Sequence, residues 1–114
     1  MYKGDHSPRP IPLRTVTAVI PAWNEATTVG AVVYAALDAG LVDDVVVVDN
    51  SSSDGTATVA AAHGARVVYQ PVPGKGEAMR AGVAAAVGAD VIVFLDADLI
   101  GLQPAHVDRL VAPV

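Results

Sequence analysis

Residues 91–101 read "VIVFLDADLIG": five apolar residues run directly into Asp96 and Asp98, with one alanine between them. Five such residues in a row suit a strand covered on both faces, and a buried strand does not end on two close carboxylates at no cost. Their mutual repulsion requires either solvation at a loop or a positive group between them. Which of the two applies depends on what the rest of the chain brings to the same place.

Three more runs share the β-branched, non-alternating character of residues 91–95. They are "TVTAVI" (15–20), "DVVVVD" (44–49) and "ARVVYQ" (65–70), while the opening stretch extends to "DVIVFLD" (90–96). Continuous apolar strands of this kind belong to parallel sheets buried on both faces. Alanine-rich segments separate them: 26–40, 54–64 and 74–88, with Gly40, Gly64 and Gly88 expected as C-terminal caps. A fourth short helix is expected to begin near Pro104, a favoured first helical position. The order β-α-β-α-β-α-β-α predicts an α/β fold: an open, mostly parallel twisted sheet with helices on both faces.

In such sheets ligands bind at the carboxyl ends of the strands. Each strand here is followed by a polar cluster: "PAWNE" (21–25), "DNSSSDGT" (49–56), "QPVPGKGEA" (70–78) and "DADL" (96–99). All four are thus expected along one edge.

Taken singly, each cluster has a structural reading beside a functional one. Asn24 can be a helix N-cap with Glu25 in the first turn, or the loop can line a nucleoside pocket. Trp23, the only tryptophan, reads more readily as packing than as a stacking surface. Asp54 can cap the following helix. Capping does not account for Asp49, which with Asn50 stands where a base edge could be recognised. Lys75 lies between two glycines at a helix mouth, where backbone and dipole favour anions. For Asp96 and Asp98 a hard divalent cation such as Mg²⁺ answers the opening problem, bound by carboxylate oxygens and bridging to phosphates.

Several chemistries find no support. There is no cysteine, hence no disulfide or thiolate site, which fits a cytoplasmic protein. Neither a P-loop nor a G-x-G-x-x-G pattern is present. His6, His63 and His106 have no partner at a telling spacing, and Ser51–Ser53 form no nucleophile elbow. A net charge of −5 with seven Lys and Arg residues offers no nucleic-acid surface. No apolar run reaches the roughly 18–20 residues of a membrane span. The proline-rich start, residues 1–14, reads as an N-terminal arm and not as a secretory signal, leaving residues 15–114 as one domain.

Taken together, "VIPAWNE", "VVVVDNSSSDGT", "GKGEAMRAG" and "FLDADL" resemble, in order, the motifs of GT-A fold glycosyltransferases of the family 2 type. Similar "PA-x-NE", "GKGEA" and "DSDLI" segments occur in glucosyl-3-phosphoglycerate synthases, and dolichyl-phosphate-mannose-synthase-like enzymes come next. The resemblance implies a nucleotide-diphosphate-sugar donor, such as UDP-glucose or GDP-mannose, with Mg²⁺ or Mn²⁺. It implies that Pro21, Ala22, Trp23 and Glu25 line the nucleotide pocket, that Asp49 and Asn50 meet the base, and that Lys75 meets base or phosphate. Asp96 would hold the ribose or the metal's water shell, Ala97 would lie beside the nucleotide, and Asp98 would be a metal ligand. Where the usual pattern reads "DDGS" or "DSGS", this chain has "DNSS".

GT-A domains continue past D-x-D into the acceptor site, so the expectation is a donor-binding half with no assignable catalytic base. The acceptor is open: phosphoglycerate, a lipid phosphate or a polysaccharide. Two rivals remain: a non-catalytic binding or assembly module of the same fold, and, further off, a sugar-phosphate nucleotidyltransferase. An uncovered sheet edge also makes a homo-oligomer an expectation.

Overall fold

A computed structural model describes residues 14–113. The arm expected over residues 1–14 lies outside them except for Arg14, as does His6. Four strands alternate with four helices: β1 (Val16–Ala22), α1 (Val29–Asp38), β2 (Asp44–Asp49), α2 (Thr56–Ala62), β3 (Arg66–Tyr69), α3 (Lys75–Ala85), β4 (Val91–Phe94) and α4 (Pro104–Val111).

All pairings are parallel, and the sheet order is β3-β2-β1-β4. The chain therefore moves outward from β1 to β3, then crosses back to place β4 on the other side of β1. That reversal opens a crevice at the carboxyl ends of β1 and β4.

Period-two alternation sorts the core into two layers. Ala18, Ile20, Val45 and Val47 face α1, α2 and α4, where Val29, Val32, Val33, Ala60 and Val107 are buried. Val19, Val46 and Val48 face the other way, onto Ala78, Ala81 and Ala85 of α3. Both faces of β1 and β2 are covered, which is why neither strand alternates in polarity. On the α3 side the approach is close: a Cβ on Gly82 would run into the Val19 Cγ1 methyl.

Carboxylates tie down the opposite edge. Asp43 accepts the Val16 N–H and Asp90 the Thr15 N–H, at 2.8 and 2.9 Å. Asp108 of α4 accepts from the N–H groups of Gly40 and Leu41, joining α4 to the end of α1.

Element ends depart modestly from the sequence expectation. The edge strands β3 and β4 have four residues each, although Leu95 still donates to Val19 O and Gln70 to Asp49 O. The helix C-caps are Ala39, His63 and Ala86, with each expected glycine one or two residues beyond. α4 begins on Pro104 as expected, inside a capping box in which Gln103 N–H donates to His106 Nδ1.

Candidate functional site

The four polar loops do converge. A cleft of about 300 Å³ at the β1–β4 crevice is lined by Pro21, Ala22, Trp23, Glu25, Asn50, Lys75, Ala78, Asp96, Ala97 and Asp98.

β4 ends at Phe94, and a turn over Ala97–Asp98 carries the "DAD" segment out of the strand. Leu95 and Ala97 are 3% exposed and point into the core, so Asp96 and Asp98 both turn outward. The positive group demanded by the sequence comes from across the crevice. Lys75 Nζ donates to Asp96 Oδ1 at 2.8 Å. That hydrogen bond and the charge of Asp96 raise the Lys75 amine above its ordinary value; burial opposes them slightly, and Asp98 adds to the rise.

Lys75 is the first residue of α3, and Gly74 before it has φ +123°, a conformation that L side chains rarely adopt. The glycine thus turns the chain so that the lysine and the helix N-terminus both face the cleft. Ala78, one turn on and 1% exposed, adds a small apolar wall. The sequence reading passed over Ala78; its signal is its place one turn into the helix after Lys75.

Trp23 is 63% exposed at the cleft, not packed in the core. β1 ends at Ala22, so the indole lies past the last covered position. Asn24 is not the N-cap of α1. Its backbone is left-handed at φ +53°, and its side-chain Oδ1 accepts the Ser53 N–H at 2.8 Å. This links the first loop to the second, and α1 starts a turn later with Thr28 as N-cap. Thr28 also escaped the sequence reading. Its hydroxyl donates to Ala97 O at 2.8 Å and lies 3.3 Å from Glu25 Oε2, so it joins the first loop to the "DAD" backbone. The position just before an apolar helix was its one signal.

The second cluster is largely self-braced. Asp54 caps α2 from one residue before the N-cap, Gly55: Oδ1 accepts the Thr56 N–H, and the Thr56 hydroxyl also donates to it. These contacts, the hydroxyl first, hold the Asp54 carboxyl below its ordinary range. The fully buried Thr56 also accepts the Glu25 N–H at 2.9 Å. Asp49 is buried, and its Oδ1 accepts the Ser52 N–H, so alone among the expected site residues it does not line the cleft. Asn50 lines the cleft, but its amide is bonded to the 70–74 loop.

The donor set suits a hard divalent cation. No group of three or more His, Cys, Asp or Glu side chains is arranged for a metal among the described residues. Mg²⁺-type ions need only one or two carboxylates when phosphate oxygens and water complete the shell. Asp96 and Asp98 provide that minimum.

Residues 17–114 match Glycosyl transferase family 2. The chain belongs to that family. Relatives include glucosyl-3-phosphoglycerate synthase of Mycolicibacterium smegmatis, 44% identical over 111 residues, covering 89% of this chain and 36% of that protein. An uncharacterised glycosyltransferase of Mycobacterium bovis is 51% identical over 83 residues, covering 73% of this chain and 36% of that protein. Among solved structures, Mycobacterium tuberculosis glucosyl-3-phosphoglycerate synthase with Mn²⁺, UDP-glucose and phosphoglyceric acid superposes with a TM-score of 0.78. It is 42% identical, over 88% of this chain and 39% of the other. This family 2 chain thus spans a little over a third of the length of these relatives. No helix among its described residues is long and apolar enough to cross a membrane.

Proposed function

We propose that this chain carries the donor site of a metal-dependent glycosyltransferase, with UDP-glucose as donor and phosphoglycerate as acceptor. One observation supports the reading above others. Lys75, Asp96 and Asp98 meet an exposed indole in one cleft, at the crevice where open α/β sheets take their ligands. The donor and acceptor are those of the mycobacterial relatives.

Each residue has a part in this reading. Trp23 offers an aromatic face to the base. Lys75 and the first turn of α3 face the diphosphate with a point charge and unpaired backbone N–H groups. Pro21 and Ala22 form the floor at the end of β1, and Ala97 keeps the backbone close beneath the nucleotide. Glu25 accepts hydrogen bonds from the nucleoside. Asp49 holds the second loop from behind. Asp96 and Asp98 would hold Mg²⁺ or Mn²⁺ through their carboxylate oxygens, with Asp96 also bonded to Lys75 through Oδ1. When bound, the cation supplies charge neutralisation for the departing diphosphate. The acceptor hydroxyl oxygen attacks C1 of the sugar, the C1–O bond to the diphosphate breaks, UDP leaves, and the hydroxyl proton passes to the departing diphosphate or to water.

Calorimetric titration of the chain with UDP and with GDP, each with and without Mn²⁺, tests the proposal. UDP should bind more tightly than GDP, Mn²⁺ should strengthen UDP binding, and Asp98→Asn should remove the Mn²⁺ increment. A folded chain that binds neither nucleotide would overturn it.

A further inference from the structure

Asn50 is 7% exposed, and its carboxamide is bonded at both the nitrogen and the oxygen. Its Nδ2 donates to two carbonyls, Gln70 O at 2.9 Å and Val72 O at 2.8 Å. Its Oδ1 accepts the Gly74 N–H at 3.0 Å. One side chain at the end of β2 therefore holds three points of the loop that leads into α3.

That loop ends at Gly74, and the next residue is Lys75, whose ammonium reaches Asp96 across the cleft. Pro71 and Pro73 have no N–H to donate, and the loop's other ties lie nearer its start. Val72 N–H donates to Gln70 Oε1 at 2.8 Å, and the Ser51 hydroxyl donates to Gln70 O and Pro71 O at 3.3 and 3.2 Å. Asn50 alone among these groups reaches Gly74, next to Lys75.

We infer that Asn50 is a positioning residue: by clamping residues 70–74 it sets where Lys75 stands relative to Asp96, and it acts on the donor through that lysine. The claim rests on the donor-site reading only for its effect on binding. The chemistry of the side chain is specific. Only an amide of this size gives two N–H donors to the two carbonyls and an acceptor to the amide proton. A carboxylate of the same shape would set an anionic oxygen against both carbonyls. It would also take this donor from Val72 O and leave Gln70 O with the Ser51 hydroxyl at 3.3 Å.

Two readouts test this. The sequence has two lysines, Lys3 and Lys75, so selective labelling gives a nuclear Overhauser contact between the Lys75 ε-protons and the Asp96 β-protons. Wild type should show it, and Asn50→Asp should lose it while keeping its circular dichroism. In calorimetry with UDP, Asn50→Asp should bind about tenfold more weakly. In a Lys75→Met background the same change should cost less than about twofold, because the two residues act as one unit.

A folded Asn50→Asp that keeps the contact would overturn the inference, as would an undiminished loss in the Lys75→Met background. Loss of the contact in a chain that never binds UDP would uphold the positioning role and defeat the donor reading. UDP binding with an unchanged contact would do the reverse. Should Asn50→Asp not fold, Gly74 amide exchange in wild type decides. Protection upholds the clamp, and exchange at the rate of an unstructured chain overturns it.

Discussion

Lys75 and Asp96, twenty-one residues apart, meet at 2.8 Å across the mouth of the β1–β4 crevice. The ion pair is open to solvent on both sides, with side chains 66% and 57% exposed. Exposed pairs of this kind add little to folding. Its position matters more, because it gathers the charges on the strand end and the helix mouth at one point.

Lys75→Met should therefore separate stability from binding. The melting temperature is expected to stay nearly unchanged, while UDP affinity falls by about tenfold, as for a lost hydrogen bond to a charged group. Thermal melts and calorimetry on the same sample check both halves. A large drop in melting temperature would assign the lysine a folding role instead.

Thr56 joins two loops from a fully buried position. Thr56→Val keeps its shape but leaves the Glu25 N–H without its acceptor and Asp54 without the hydroxyl. The expected loss is about 1–3 kcal/mol in urea unfolding. Thr56→Ser should recover most of it, because the hydroxyl returns.

Asp54 makes that region sensitive to acid. Its carboxyl is held below the ordinary value in the folded chain. Its contribution is therefore complete above the unfolded-state value and is lost as pH falls through the lower folded-state value. Asp54→Ala should lower the melting temperature near neutral pH. The gap to wild type should close on acidification to about pH 2, as read in a series of melts.

Two glycines of α3 should respond in opposite directions. Gly82→Ala gains up to about 1 kcal/mol of helix propensity. It also drives a methyl into Val19, which is fully buried and has no room to yield. Overpacking of this kind costs about 1–3 kcal/mol, so a net loss is expected. Gly76 has open space where a Cβ would lie, and Gly76→Ala should stabilise by up to about 1 kcal/mol. Paired denaturant curves decide.

Much of the molecule could be read from local pattern. Unbroken β-branched runs marked β1 and β2 as covered on both faces, and Pro104 marked the start of α4. Nine of the ten residues expected at the site line the cleft. The one exception, Asp49, and two residues whose bonds differ from the expected ones share a cause. Asp49, Asn50 and Asn24 are short polar side chains at strand ends, able to meet a ligand or bond to a neighbouring loop. Here their bonds go to Ser52, to residues 70–74 and to Ser53. The polar loops themselves look alike whichever partner is taken.

By itself, the sequence determined the alternation of strand and helix, the parallel sheet that this forces, and the edge on which polar loops gather. These follow from periodicity and chain connection, which act over a few residues at a time. Only the tertiary structure decided that β4 returns beside β1, that Lys75 spans the crevice to Asp96, and that Asn50 faces a loop. Those contacts join residues about twenty to eighty positions apart. Their geometry depends on how two helical layers pack on one sheet, which no short stretch encodes.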